Sequence, residues 1–307
     1  MRLKLFGVTV LSLGILAGAC ANASTGDGPG DGGTGPGTGA TGPTSPTGPT
    51  GPGPTGPGQL VLRIEQGGGF VAIQYNLTRM PMLSLYDDGL LVTPGAQIEI
   101  YPGPALPALS QQHLSPDAIR LLIQAAIDVG LDKDRDYTDL GSTMISDAPT
   151  TTFTLTIDGQ THTTQVYALD FDLGPAPDRM SKEELQARKD LQAFQAKASD
   201  LSWLPDGSVT DQGLYQPTAL RIFSSPYQPD PELTQAPIAW PLTPGLDLFG
   251  DSEQSTPGGM RCGTVADDET ASLLSLAEQA NQLTPWTSDG TRYGLLFRPL
   301  LPDESGC

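Results

Sequence analysis

The chain has 307 residues, of which 35 are acidic (Asp and Glu) and 16 are basic (Lys and Arg), so its formal net charge is −19. Nucleic acids and anionic lipid headgroups require basic protein surface, and this acidity therefore argues against both as partners. The length allows one large domain or two small ones.

The first twenty residues have the three parts of a secretory signal peptide. Arg2 and Lys4 form the positive region, and residues 5–16 form an apolar segment that is too short to cross a bilayer as a helix. Small residues then precede Cys20, as in a bacterial lipobox, although Ala17 stands where Leu or Val is usual. We expect residues 1–19 to be a lipoprotein signal peptide. Acylated Cys20 would then anchor the chain to the cell membrane, facing outside the cytoplasm.

Cleavage after Ala23 by an ordinary signal peptidase is the alternative, and it would give a secreted protein without Cys20. The segment that follows favours the anchor. Residues 20–58 are almost entirely Gly, Pro, Thr, Ser and Asp, which have no apolar side chains to bury, so we expect a disordered tether. Loss of Arg2 and Lys4 with the signal peptide changes the formal net charge from −19 to −21.

Residues 59–307 are expected to form a globular domain that begins with strands. Residues 60–65 and 70–75 read as a hairpin joined through three glycines, and residues 82–86 and 90–93 as a second hairpin around an Asp-Asp-Gly turn. Prolines between 94 and 107 indicate an irregular stretch. A helix over 115–131 follows, with Ser115 as its cap and Gly130 as its stop.

The second half of the domain repeats these signals. Residues 152–157 and 160–169 flank Asp158-Gly159 as a type I′ hairpin, and a second helix begins at Ser181 with Glu184 as capping-box partner. A strand over 219–223, a helix over 268–283 and a hairpin around 288–290 complete the series. The predicted class is α+β, a mainly antiparallel sheet of hairpins with about three amphipathic helices packed on it. A subdivision of the domain would fall near 205–217.

Cysteine parity predicts a disulfide. Once Cys20 is acylated or removed, Cys262 and Cys307 remain, and an even pair in an oxidising compartment reads as a bridge. The alternative is a reactive thiol. Cys307 follows Gly306 and has no cationic neighbour in sequence to lower its pKa, so we favour the disulfide.

Acidic residues supply two weak candidates for chemistry. Asp132, Asp134 and Asp136 have the spacing of a calcium loop, but Tyr137 stands where that loop needs Gly, and a solvated loop is the simpler interpretation. Asp170 and Asp172 flank Phe171 and could act as an acid/base pair, or could simply lie in water at a strand end. We expect no metal ion and no cofactor.

Histidine and tryptophan offer little more. His113 is expected in a solvated loop before the helix cap, and His162 opposite Leu155 across a turn, without a catalytic or ligand role for either. Three tryptophans near prolines could line a groove for a peptide or glycan, or could anchor the core and loops, which we favour. They are Trp203, Trp240 and Trp286.

From Leu60 onward the chain resembles a family of uncharacterised secreted or lipid-anchored bacterial proteins of actinobacterial type. The segments that carry the resemblance are 86–89, 97–104, 147–151, 281–286 and 297–307. The resemblance implies no activity, because the family has none assigned. It implies that Cys262 and Cys307 form a shared disulfide.

The sequence therefore predicts a membrane-anchored extracytoplasmic lipoprotein that is not an enzyme and that binds a protein, peptide or glycan or has a structural role in the cell envelope. The alternative is an extracytoplasmic hydrolase or metal-dependent enzyme whose site assembles across the fold from Asp170, Asp172 and other residues. A cleft that gathers those carboxylates with a histidine would favour the enzyme.

Overall fold

Antiparallel hairpins dominate the computed structural model, which describes residues 58–141, 145–173, 180–252 and 259–307. The predicted signal peptide, Cys20 and nearly all of the predicted tether lie outside these residues. The described chain has four helices and two mostly antiparallel sheets, which confirms the α+β class.

The first sheet has eight strands in the order β5-β7-β6-β1-β2-β3-β4-β8. Only the β5–β7 pair is parallel. The hairpin of β6 and β7 has the predicted turn: Asp158 and Gly159 both have positive φ, at 51° and 73°, as a type I′ turn requires. The strands are Leu60–Gly68 (β1), Leu83–Tyr86 (β2), Leu90–Pro94 (β3), Leu109–Leu114 (β4), Arg135–Tyr137 (β5), Pro149–Ile157 (β6), Gln160–Tyr167 (β7) and Val209–Leu214 (β8).

Two helices cover the apolar face of this sheet. Helix α2 spans Pro116–Asp128, and the Ser115 side chain accepts a hydrogen bond from the backbone N–H of Ala118, as the sequence predicts. Helix α3 spans Lys182–Ser199, with the Ser181 hydroxyl accepting from the N–H of Glu184. Their apolar stripes pack with the inward side chains of the strands into one buried cluster.

The second sheet has five strands in the order β10-β12-β13-β9-β11, with β10 and β12 parallel. Its core includes Trp240 and Trp286, whose ring centroids lie 6.4 Å apart. Helix α4 packs its buried residues against this core. The elements are Ala219–Pro226 (β9), Ile238–Ala239 (β10), Arg261–Ala266 (β11), Asp268–Ala277 (α4), Pro285–Ser288 (β12) and Thr291–Pro299 (β13).

Residues 70–75 are not the predicted strand. Gly68 and Gly69 both have positive φ and turn the chain away from β1, whose free side is occupied by β6 instead. The N–H of Phe70 donates to the carbonyl of Asp147, and a short helix, α1, follows over Ile73–Thr78. Strand β1 therefore pairs with β2, which follows α1 in the sequence.

Helix α4 is shorter than predicted, ending at Ala277 rather than at 283. The side chain of Asn281 accepts a hydrogen bond from the N–H of Leu283, and its own N–H donates to the hydroxyl of Thr284. This turn satisfies the backbone locally and leads into Pro285, which opens β12.

The described residues, from Gly58 onward, belong to one compact unit. Within it, the first sheet takes its last strand from residues 209–214 and the second sheet begins at Ala219, so the change of sheet occurs around the predicted subdivision. Among the described residues, no helix combines the length and apolarity that are needed to cross a membrane.

Two buried ion pairs hold the C-terminal segment, residues 300–307, against both sheets. Arg63 on β1 donates to Asp303 at 2.7 Å, and the hydroxyl of Tyr86 donates to the same carboxylate oxygen at 2.6 Å. Arg298 on β13 makes a bidentate pair with Glu304, at 2.6 and 2.7 Å. The side chains of Arg63 and Arg298 are only 10% and 9% exposed, so both charges depend on these partners.

A disulfide joins the end of this segment to β11. Cys262 and Cys307 are bonded, with their Cα atoms 6.0 Å apart and a sequence separation of 45, which confirms the pair that parity predicts. In three dimensions, Arg221 on β9 donates to the carbonyl of Gly306, next to Cys307, at 2.7 Å, although it is 85 residues away in sequence.

Removing one partner of the buried pair should destabilise the domain strongly. Glu304→Gln leaves the buried guanidinium of Arg298 without a counter-charge, and we expect a loss of about 3–5 kcal/mol in the free energy of unfolding. The matched control is Arg120→Gln, which breaks an exposed pair with Asp117 and should cost less than about 1 kcal/mol. Urea unfolding at neutral pH measures both, and equal losses would contradict the assignment.

The stabilisation by Glu304 should disappear in acid. Burial alone would raise the pKa values of Asp303 and Glu304, but hydrogen bonds from Tyr86 and Arg63 and from Arg298 outweigh it and hold both pKa values below the usual range. A carboxylate with a lowered folded pKa stabilises the fold above its unfolded pKa, about 4, and loses that effect as pH falls. The difference between wild type and Glu304→Gln should therefore shrink below about pH 4. A constant difference down to pH 3 would contradict this.

Candidate functional site

The two carboxylates that favoured an enzyme do not meet a histidine. Asp170 and Asp172 line a cavity of about 490 Å³ together with Arg188 and Lys189, and the Asp170 carboxylate accepts hydrogen bonds from the amides of Gln66 and Gln195. The amide oxygen of Gln195 is buried without a partner among the described residues. This cavity has paired carboxylates and cations but lacks a histidine among its described lining residues.

Both histidines lie toward the opposite end of the first sheet. His162 faces Leu155 on β6, as predicted. His113 is not in the predicted loop: it is an exposed residue of strand β4, paired with Leu90 beside the β2–β3 turn. The sequence does not indicate this strand, because its four central residues are all polar and lack the apolar–polar alternation of a half-buried strand.

Two of the three aspartates of the candidate calcium loop accept hydrogen bonds from threonines. Asp134 accepts from the N–H of Thr163 at 2.7 Å, and Asp136 accepts from both the N–H and the hydroxyl of Thr138, which lowers the pKa of the Asp136 carboxyl. Across residues 58–141, 145–173, 180–252 and 259–307, no three His, Cys, Asp or Glu side chains are placed to hold one metal ion; Asp132 is therefore in no such group.

The tryptophans do not form a groove. Trp240 and Trp286 are 8% and 1% exposed, within the core of the second sheet, as the favoured interpretation has it. Trp203 anchors a loop: its indole N–H donates to the carbonyl of Lys197, and the ammonium of that lysine lies 4.0 Å from the ring centroid.

Strand directions place several loops at one end of the first sheet. Gly68, at the end of β1, pairs with Pro149 at the start of β6, and Pro94 at the end of β3 pairs with Leu109 at the start of β4. Because β1 and β3 both run antiparallel to β2, the loops that follow them emerge on the same side. The end of β8 and the end of β7 lie there too.

This end of the sheet carries most of the exposed apolar side chains, and we call it the apolar end. Eleven large apolar residues are exposed in the described chain, and nine of them lie here. Leu121 on α2 and Leu248 in the second half of the domain are the other two. The nine are Phe70, Val71, Ile73, Tyr75, Ile98, Ile100, Tyr101, Phe171 and Leu214.

An arch between β3 and β4 carries three of these nine residues. It spans residues 95–108 and is closed at its base by a hydrogen bond from the N–H of Gly95 to the carbonyl of Ala108, at 2.8 Å. The amide of Gln97 donates to the same carbonyl at 3.0 Å. Ile98, Ile100 and Tyr101 project from the arch and are 60–69% exposed. Side chains of this size at such exposure are typical of interaction surfaces when they cluster.

Two cavities flank the arch, and Ile98 lines both of them. The first, about 430 Å³, lies between the arch, α1 and β13, and Tyr75, Arg79 and Phe297 are among its lining residues. The second, about 250 Å³, lies between the arch, residues 214–217 and α4. Their linings are largely apolar, with the amides of two glutamines, Gln97 and Gln282, at the rim of the first.

Acidic side chains are interleaved with the exposed apolar ones. Glu99 lies between Ile98 and Ile100 in sequence, and Asp170 and Asp172 flank Phe171. All three carboxylates are exposed. An apolar surface edged by negative charge suits a partner that presents apolar groups with basic residues around them.

Sequence reasoning missed the apolar end because burial is not a local property. The alternation Ile98-Glu99-Ile100 has the pattern of a half-buried strand. Prolines on both sides of this segment indicate that it does not pair as a strand, because they lack the backbone N–H that a sheet requires. They are at positions 94, 102, 104 and 107. No protein-family model, curated protein or solved structure matches the chain. The resemblance to uncharacterised envelope proteins therefore stays a prediction.

Proposed function

We propose that the protein is a membrane-anchored, extracytoplasmic binding protein of the cell envelope, without a catalytic role, whose apolar end docks on a partner protein. The observation that carries this proposal is the concentration of nine of the eleven exposed large apolar residues at one end of the sheet. An apolar surface kept exposed in a soluble domain is costly unless something covers it in use.

The partner is a protein with an apolar patch surrounded by basic residues. Glu99, which is exposed between two exposed isoleucines, would meet that basic rim, and the chain as a whole is acidic. The two core tryptophans lend no support to glycan recognition, because Trp240 and Trp286 are buried and offer no stacking surface.

The tether would join the domain on the side away from this surface. Gly58 lies against Asp88 in the β2–β3 turn, and Gln59 donates to Asp87, so the chain enters at the start of β1. The nine residues of β1 span about 30 Å at about 3.3 Å each, which separates the entry point from the apolar end. The docking surface would therefore point away from the attachment.

The anchor itself is proposed from the sequence alone. Cys20 follows small residues at the end of an apolar segment, and a tether without apolar side chains comes next. Two or more acyl chains on Cys20 would hold the protein stably at a membrane. Cleavage after Ala23 would make it a secreted binding protein instead.

Site-specific crosslinking tests the docking surface. A photo-reactive phenylalanine analogue at Ile98 or Ile100 should give a discrete protein adduct in the intact host, because these side chains would be covered by the partner. The same analogue at Leu121, exposed on α2, is the matched control and should give none. Adding Tyr75→Asp or Tyr101→Asp should abolish the adduct from Ile98. Adducts of equal yield from Leu121, or adducts that survive both Asp variants, would contradict the proposal.

Metabolic labelling tests the anchor. Cells that express the full chain and grow with labelled palmitate should label the wild-type protein, and Cys20→Ala should remove the label because the acceptor thiol is lost. Immunoblotting controls for the amount of protein. A wild-type protein that takes no label, or a Cys20→Ala variant that keeps it, would contradict acylation at Cys20 and favour secretion.

A further inference from the structure

Three arginines line one cavity in this acidic chain. The cavity, about 500 Å³, lies between the region of β1 and α1 on one side and β9 and β11 on the other. Arg79, Arg221 and Arg298 form part of its wall, together with the Cys262–Cys307 disulfide. We call it the arginine cavity. The whole sequence has only 16 basic residues against 35 acidic ones, so this concentration of positive charge is unusual for the chain.

Only one of the three arginines has a carboxylate partner. Arg298 is neutralised by its bidentate pair with Glu304. Arg221 donates instead to the backbone carbonyls of Gly306 and Ser305, at 2.7 and 3.4 Å. Within the described residues, no carboxylate lies at ion-pair distance from Arg221.

Arg79, like Arg221, interacts with groups other than carboxylates. Its guanidinium lies 4.7 Å from the ring centroid of Tyr75, and one of its nitrogens donates to the carbonyl of Gly68 at a long 3.4 Å. It too lacks a carboxylate at ion-pair distance in the described part of the chain. Glu65 and Asp251 also line the cavity, but neither approaches an arginine that closely.

Two guanidiniums of the cavity, those of Arg79 and Arg221, therefore have no carboxylate at ion-pair distance among the described residues, although Glu65 and Asp251 also line the cavity. Burial lowers the pKa of Arg221, the like charge of Arg298 lowers it further, and the negative charge of Glu304 partly opposes both effects. A guanidinium that is partly buried beside another one, with only neutral carbonyls as acceptors, gains from a nearby anion.

We propose that the arginine cavity binds a small organic anion through a carboxylate or phosphate group, held by Arg79 and Arg221. Arginine presents a planar fork of N–H donors that matches both groups in a bidentate manner. The volume is within the range of small-molecule sites. Phe223, Leu77 and the disulfide would contact the carbon skeleton of the ligand. The site adjoins the docking surface, because Arg79 also lines the first apolar cavity, but it would take an anion through guanidinium groups rather than a protein through apolar side chains.

Calorimetric titration of the folded, disulfide-bonded domain tests the site, with citrate and inorganic phosphate as probes at constant ionic strength. Saturable binding to a single site is expected for at least one probe; citrate alone would indicate a carboxylate ligand and phosphate alone a phosphorylated one. Arg221→Gln and Arg79→Gln should each weaken binding by about tenfold or more. Arg292→Gln, an exposed arginine at the start of β13, is the control and should leave the affinity unchanged.

Arg221→Gln also removes two hydrogen bonds to the C-terminal segment, so circular dichroism should establish that this variant is folded. Arg79→Gln leaves those bonds intact and decides the test alone if Arg221→Gln unfolds. Arg221→Lys keeps the charge and should retain part of the affinity. The proposal is overturned if neither probe binds saturably to the wild type, or if Arg79→Gln binds as tightly as Arg292→Gln does.

Discussion

The arginines of two different sheets, Arg63 and Arg298, are buried against consecutive carboxylates of one short segment, Asp303 and Glu304. Each guanidinium lost its hydration on folding and is stable only because a carboxylate replaces it. The pairs therefore fix the C-terminal segment, and through it they fix the two sheets relative to a common element. Arg298 also donates to the backbone carbonyl of Arg79, at the junction between α1 and β2. The same network thus positions the residues that line both the first apolar cavity and the arginine cavity.

Local chemistry made much of the fold predictable. Asp158-Gly159 adopts positive φ at both positions because the turn requires it, and Ser115 and Ser181 cap their helices because an N-terminal N–H needs an acceptor. These signals lie within a few residues of their effects. The order of the strands is not determined by such local signals. Residues 70–75 have the composition of a strand, yet β6 arrives from 80 residues later and occupies the edge that they would need.

The candidate sites could not be predicted from the sequence, because they also depend on contacts between residues that are distant in sequence. Ile98 and Ile100 alternate with Glu99 as strand residues do, and only the tertiary structure reveals that nothing covers them. The arginine cavity combines Arg79 with Arg221 and Cys307, which are separated by more than 80 residues at each step. A cationic neighbour for Cys307 could not be found by inspecting its sequence neighbours. Capping and turn rules relate residues that are a few positions apart, and no comparable rule predicts which distant residues will meet.

The ion pair between Arg63 and Asp303 also constrains the order in which the domain can fold during synthesis, because 240 residues separate the two side chains. The ribosome releases β1 early, but the guanidinium of Arg63 has no carboxylate to replace its hydration until Asp303 has emerged. An incomplete chain therefore cannot bury β1 at the centre of the first sheet without a large penalty. The complete domain would therefore form only after residues 300–307 have been synthesised, so the first strand waits for a segment that is made hundreds of residues later.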